Sequence, residues 1–349
     1  MKMIKRILLV LASVITLSLA LTSCATSVGF RITRPAELDL NGAKTIAVLP
    51  FKPYAYYNSI EGANGVDVAI RTFFQALDKS GPDEQRAINY LHNYIEEGLS
   101  SSPYIKVVSA DSVQVALKEG YINPADVYLT GEIINYYVTE KKSLEKIKVS
   151  DADPETGKKA EYIFEDRFSR YVEFDYRYMI IDSATEKVIS SKKTTIHLTS
   201  SKYNYQRDLP SAYSIIQSSL ASQGNQILRE LQPYVITKSV RLIEDKSKDK
   251  ELHKQMKNAH KLAKDGHTTD SYNEFTRIYK ETDLFEAGYN AALLQEALGN
   301  LSTAEKLMSA LYEKNRDSRA ANALDDIRYE IRQAKRLKSQ TEEKELTLD

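Results

Sequence analysis

The chain of 349 residues has one cysteine and no tryptophan. A single thiol excludes a disulfide framework and a cysteine-based metal site, so the folded part is held by packing alone. Neither sign of charge prevails, since basic and acidic residues both number 48. Such a balance gives no electrostatic footprint for nucleic acid, and none is expected as a partner. Proline is sparse and absent after Pro233, which leaves the C-terminal part free to run as helix. Beyond the first two dozen residues, no apolar run approaches the roughly 20 residues of a spanning helix. Catalytic signatures are also missing: no His-Glu-x-x-His, no Gly-x-Ser-x-Gly and no phosphate-cradling glycine loop. Gly62 and Gly65 read as a lone pair in a loop. His253, His260 and His267 recur seven apart without a carboxylate at ligand spacing. Residues 151–157 imitate a calcium loop, but the glycine falls one position late and Pro154 intrudes. No catalytic residue, metal or cofactor is expected. The 23 tyrosines hint at surfaces that bury a ring and keep a hydroxyl wet.

What is present begins at the N-terminus. Lys2, Lys5 and Arg6 precede a largely apolar stretch over 7–21, and Leu21-Thr22-Ser23-Cys24 closes it. This is the pattern of a lipoprotein-type secretory signal over 1–23: a bulky aliphatic residue, two small ones, then the cysteine. The Cys24 thiol would take a diacylglycerol, and cleavage would free an amine for a further acyl chain such as palmitate. Several chains on one residue give stable anchoring. A plain signal peptide or an uncleaved anchor helix is the competing reading. Loss of the three basic residues would leave the mature chain at about −3. The expected location is the bacterial cell envelope, lipid-anchored, at the outer membrane.

Residues 24–42 read as a tether reaching at most roughly 60 Å. An α+β domain is expected over 43–245. Its strands are 44–49, 104–108, 126–138, 172–180 and 187–198. Helices fall at 83–99, at 111–121 with Ser109 or Asp111 as cap, and at 211–231. The clearest strand alternates Val172, Phe174, Tyr176, Tyr178 and Ile180 with Glu173, Asp175 and Arg177, and a turn at 182–185 makes a hairpin. Residues 141–170, rich in Lys, Glu and Asp, read as a solvated connection. A charged linker at 244–251 leads to an all-α part over 250–338, and 339–349 reads as a disordered tail.

The all-α part repeats with a period of 33. Ala259 matches Ala292, Gly266 matches Gly299, Ser271 matches Ala304, Phe275 matches Met308, and Tyr279 matches Tyr312. Small residues recur where helices approach, and a glycine marks each turn. The second copy, with Tyr289-Asn290-Ala291-Ala292, Gly299-Asn300 and Ala304, resembles the tetratricopeptide (TPR) pattern. A generic helical hairpin is the alternative. A helix through Ala320, Ala323, Leu324, Ile327 and Ile331 would cap the stack.

The first domain also carries a resemblance. Ala-Lys-Thr-Ile-Ala-Val-Leu-Pro-Phe at 43–51, Ile-Lys-Val-Val at 105–108, Ala-Asp-Val-Tyr-Leu-Thr-Gly-Glu-Ile at 125–133 and Asp-Ser-Ala-Thr-Glu-Lys-Val at 182–188 are similar to the periplasmic domain of CsgG-like lipoproteins. That group includes the curli secretion channel, and lipoprotein activators of peptidoglycan synthases share its architecture. The resemblance implies a mixed sheet packed with helices, no enzyme activity and work through protein partners. The TPR resemblance implies a groove for envelope proteins or peptides lined by Met256, Lys257, His260, Tyr289, Asn290 and Leu293. In it Lys257 and Asn290 would bond a carboxylate or backbone. The same residues could instead pack on the preceding domain. The expected function is therefore a non-enzymatic, membrane-anchored scaffold, with homo-oligomerisation left open. A subunit of a curli-type channel, or its assembly factor, is the runner-up, and 141–170 lacks the alternation a lipid-facing strand needs. An envelope enzyme with an unrecognised site is the third reading.

Overall fold

The computed structural model describes residues 26–40, 42–52, 81–119, 124–152, 157–245 and 248–342. The signal and Cys24, the glycines at 62–65, residues 153–156 of the calcium-like loop and residues 343–349 lie outside them. The fold is α+β, a mixed five-stranded sheet packed with helices and followed by an all-α part. The chain divides into two compact units, one of residues 36–233 and one that joins 1–35 to 234–349.

The unit of 36–233 is built on a sheet of order β3-β2-β4-β5-β6. Its strands are β2 (Thr45–Val48), β3 (Lys106–Val108), β4 (Val127–Ser150), β5 (Glu161–Asp182) and β6 (Val188–Thr199). β2 runs parallel to β3 and β4, and the other pairs are antiparallel. Because side chains alternate across a strand, the sheet has two distinct faces. Ile46, Val48, Val127, Leu129, Val172, Phe174, Tyr176, Tyr178 and Ile180 face one side and are buried there. Against them lie α1 (Pro82–Ser100), through Ala87, Ile88, Leu91, Ile95 and Leu99, and α3 (Ala212–Leu231), through Ile216, Leu220, Ile227 and Leu231. The opposite face buries Ala47, Leu49, Tyr128 and Ile181 under Val113 of α2 (Ala110–Glu119). Ser109 caps α2, its Oγ accepting from the Ser112 N–H at 3.2 Å.

The charged segment 141–170 is not a solvated connection. β4 and β5 continue through it as a two-stranded ribbon, paired from Thr139↔Tyr171 to Lys148↔Tyr162 and, after a bulge at Val149, at Ser150↔Glu161. Cross-strand pairing supplies what single-strand alternation did not show: Lys142 faces Phe168, Lys146 faces Phe164 and Lys148 faces Tyr162.

The second unit begins with β1 (Ser27–Arg34), which pairs antiparallel along its whole length with β7 (Tyr234–Arg241). Residues 27–34, expected in the tether, and β7, expected in the first domain, thus belong with the helices. Val28, Val240 and Leu242 bury themselves in the helical core, which decides the allegiance. Five helices follow: α4 (Lys250–Lys264), α5 (Thr268–Thr282), α6 (Phe285–Ala297), α7 (Leu301–Asn315) and α8 (Ser318–Thr341). The period of 33 is written into the backbone. Positive φ recurs at Gly266 and Gly299, and again at Asp283 and Arg316. Ser271 and Ala304 are fully buried at equivalent places, and the Ser271 hydroxyl donates to the Ala259 carbonyl at 2.8 Å. α8 runs to Thr341, further than the expected end near 338.

α1 and α3 meet at glycines. A side chain at Gly98 would strike Leu228, and one at Gly224 would strike the Tyr94 ring. Gly224→Val should therefore push the two helices apart and lower stability by about 1–3 kcal/mol. Denaturant unfolding followed by circular dichroism would check this, and an unchanged midpoint would show that the helices do not rely on the close approach.

Candidate functional site

The inner side of the helical unit carries the expected groove residues. Asn290, on α6, is fully buried, and its amide serves one backbone residue. Its Oδ1 accepts from the Ile243 N–H at 2.8 Å, and its Nδ2 donates to the Ile243 carbonyl at 2.9 Å. His260, on α4, brings Nε2 to 3.2 Å from the same carbonyl. A carbonyl only accepts, so Nε2 carries the proton. Burial pushes the His260 pKa down and keeps the ring neutral, and the ring stands edge-on to Phe275 at 5.2 Å. Met256 and Leu293 are buried with Val240 and Leu242 in one core. Tyr289 is half-buried beside Phe285, ring centres 5.8 Å apart, and burial raises its pKa. Lys257 does not join the others and lies exposed on α4.

An extended segment is held by paired backbone bonds to an asparagine amide, with apolar side chains inserted on either side. The segment held is the chain's own, from β7 to Ile243.

A second cluster fastens the strand pair to the helices, and sequence reasoning did not find it. Arg34 of β1 forms a bidentate pair with Glu330 of α8, at 2.7 and 2.8 Å. Lys238 of β7 donates to Glu330 at 2.7 Å and to Glu296 of α6 at 2.5 Å. The Arg34 guanidinium also lies 5.2 Å from the centre of the Tyr329 ring. Two cations meet two carboxylates, so the buried group is neutral as a whole. Burial alone would raise the Glu330 pKa, but the bonds from Arg34 and Lys238 hold it below the usual carboxylate value. Burial prevails at Glu296 and raises its pKa against the Lys238 bond. The available signal was small: Arg34 and Lys238 are cations in strands whose other inward positions are apolar.

In the other unit, the sheet face beyond α2 is polar. Arg177 pairs with the buried Glu132. The buried Asp175 has His197 at 3.2 Å and Lys193 at 3.5 Å. Asn135 donates to Glu173 at 3.0 Å, and the Tyr171 hydroxyl donates to the same carboxylate at 2.8 Å. Each carboxylate is matched by a donor, an arrangement that orders a surface. On the core face, Glu230 accepts from the Tyr178 hydroxyl at 2.8 and 2.9 Å and from Lys192 at 2.5 Å.

The ribbon is the most exposed apolar feature. Leu144 is 67% exposed and Phe164 63%, with Tyr162, Ile163 and Val149 near them. β6 ends its pairing with β5 at Tyr171↔Thr199; beyond that point the Ser200 N–H donates to the Arg170 carbonyl at 2.8 Å and a bridge joins Phe168 to Tyr203, and the rest of the ribbon's outer edges has no strand partner among the described residues. Ion pairs dress both faces: Lys142 with Asp166 at 2.8 Å on one, Arg167 with Glu145 and Glu165, each at 3.1 Å, on the other.

No protein-family model matches the chain, and no curated protein matches it. Among solved structures it is similar to PelC from Paraburkholderia phytofirmans, a dodecamer, at 14% identity over 59% of this chain and 98% of that one, with a TM-score of 0.27. It is also similar to a lipoprotein from Neisseria meningitidis, at 11% identity over 53% of this chain and 97% of that one, with a TM-score of 0.22. Likenesses this slight have no bearing on function. No helix among the described residues is long and apolar enough to cross a membrane, and no group of three or more metal-ligating side chains occurs among them.

Two outcomes are expected. Asn290→Ala leaves the Ile243 N–H and carbonyl without their amide partner, at a cost of about 2–3 kcal/mol. Hydrogen exchange should quicken around 241–244 while the helical signal persists; unchanged exchange there would mean that the amide does not hold the strand. The acid side depends on Glu330. Its folded pKa lies below the unfolded value, so its stabilisation is present above about pH 4.5 and is lost as pH falls through the folded pKa. The raised pKa of Glu296 works the other way and offsets part of the loss. Urea midpoints between about pH 3 and 7 should fall more steeply in the wild type than in Glu330→Gln, which has no such group to titrate.

Proposed function

We propose that the chain is a non-enzymatic scaffold of the bacterial envelope, lipid-anchored through acylated Cys24, that assembles with further copies of itself through the β4–β5 ribbon. The observation that carries this reading is the ribbon: exposed Leu144, Tyr162 and Phe164 beside unpaired strand edges. A soluble chain exposes such a surface at risk of association, and one that retains it uses it for association. Charge speaks for a like partner. Acids and bases over 140–170 are equal in number, so the ribbon favours neither a strongly basic nor a strongly acidic partner. The helical repeats supply rigidity in this reading, because their inner face holds the chain's own strand.

A curli-type channel subunit is the second reading, and one observation favours it: 141–170 does form a hairpin. Both ribbon faces carry charge, however, with Lys142, Lys146 and Lys148 on one and Lys141, Glu145, Glu165 and Arg167 on the other. A lipid-facing strand pays about 2–4 kcal/mol for each Lys or Arg at the bilayer midplane. The scaffold reading avoids that cost.

Light scattering on the full mature chain tests the proposal. The wild type should form a defined multimer at tens of micromolar, a range typical of interfaces of moderate affinity. Leu144→Ser with Phe164→Ser should shift it to monomer without changing the circular dichroism. A wild type that stays monomeric, or a double variant that stays assembled, would overturn self-assembly through the ribbon.

A further inference from the structure

The first helix of the repeat unit is strongly basic on one side. Lys250, Lys254, Lys257, Lys261 and Lys264 all lie on α4, and all are exposed. Their spacings of four, three, four and three residues place them on a single stripe, roughly 80° wide at about 100° per residue. Met256, Ala259 and Ala263 form the buried face on the opposite side, so the stripe points directly outward. Glu251 is the only acid in the helix, and it lies off the stripe. None of the five lysines makes an ion pair among the described residues. Elsewhere in the chain Lys142, Lys192, Lys238 and Lys314 each do. Five like charges set along one helical face repel one another, which disfavours the helix unless something outside it compensates.

The position of α4 along the chain indicates what does. The Leu242 N–H donates to the Thr26 carbonyl at 2.9 Å, and His260 of α4 reaches Ile243, the next residue. The stripe is therefore carried at the end of the unit where the chain enters from Cys24. One residue separates Cys24 from Thr26, a span of about 7 Å at most.

We propose that the α4 lysine stripe docks on the anionic phospholipid headgroups of the leaflet that holds the Cys24 lipid. The inference rests on the lipoprotein reading for the placement of the leaflet, and on the helix itself for the binding. Each lysine near an anionic surface adds to attachment, and the effect is short-ranged and salt-sensitive. Acyl chains hold the protein to the membrane; the stripe sets which side of the helical unit faces it.

The test uses the full mature chain prepared without lipid, so that acyl insertion does not mask the electrostatic contribution. Binding is measured by sedimentation with phosphatidylcholine vesicles, with and without phosphatidylglycerol. The wild type should bind the anionic vesicles, bind pure phosphatidylcholine far less, and be released as salt is raised well above the physiological range. Replacing Lys254, Lys257 and Lys261 together by glutamine should weaken anionic binding by about 30-fold or more, with unchanged circular dichroism. Equal binding to both vesicles, binding to neither, or a triple variant that binds like the wild type overturns the proposal; binding to neither would point instead to an acidic protein surface as the occupant. Mass spectrometry of Cys24 in the membrane-derived protein tests the lipoprotein reading separately. An unmodified cysteine with intact stripe binding would fail that reading alone, and an acylated cysteine with no stripe effect would fail the stripe alone.

Discussion

The pairing of β1 with β7 is the constraint on which the second unit depends. Neither strand has another partner among the described residues, and an isolated pair of strands is marginal in water. The helices make it stable by taking Val28, Val240 and Leu242 into their core and by meeting Arg34 and Lys238 with Glu330 and Glu296. The dependence is mutual. Without the strands, Glu296 and Glu330 would be carboxylates in a helical interior with no cation, and Asn290 would be a buried amide with nothing to bind. The unit is thus neither a strand pair with helices attached nor a repeat stack with a bound peptide. Each half supplies what would be a defect in the other.

The pattern of charge differs accordingly between surface and interior. Inside, cations and carboxylates are matched group by group, as at Arg34 and Glu330 or at Lys193 and Asp175. The five lysines of α4 have no such match among the described residues. A chain that pairs its buried charges this closely and leaves five lysines in one row has a surface organised for an external counter-charge, in the same way that the ribbon has one organised for external apolar contact.

Most of the regular structure was legible in the sequence, because its causes are local. The periodicity of α1, the alternation of Val172 through Ile180, and the recurrence of Gly266 at Gly299 depend on residues near one another in the chain. The missed features depend on distant partners. β1 is a short strand with two arginines, and nothing within it announces β7. In the ribbon, each strand alone looks like a mixture of Lys, Glu and apolar residues, and only the register places Lys142 opposite Phe168 and Lys146 opposite Phe164. The groove shows the same division. The repeat pattern marks Asn290 and Leu293 as groove residues for a partner, whereas their burial against the chain's own segment at Ile243 comes from tertiary structure. Lys257 shares a helix with Met256 and His260 but points away from them, since one residue along a helix turns the side chain by about 100°.

The order of the strands also bears on how the protein comes to be folded. β1 is among the first of the described segments to be synthesised, and its partner β7 follows only after the whole of 36–233 has been made. The intervening unit has all its strand partners within itself and can close early. β1 must remain unpaired throughout that interval, because contacts so far apart in sequence form late. Arg34 then waits as a free cation, and the alternation of arginines with apolar residues keeps the solitary strand soluble until Tyr234 arrives beside it. The last strand pairing to form is the one that joins the earliest described residues to the helices.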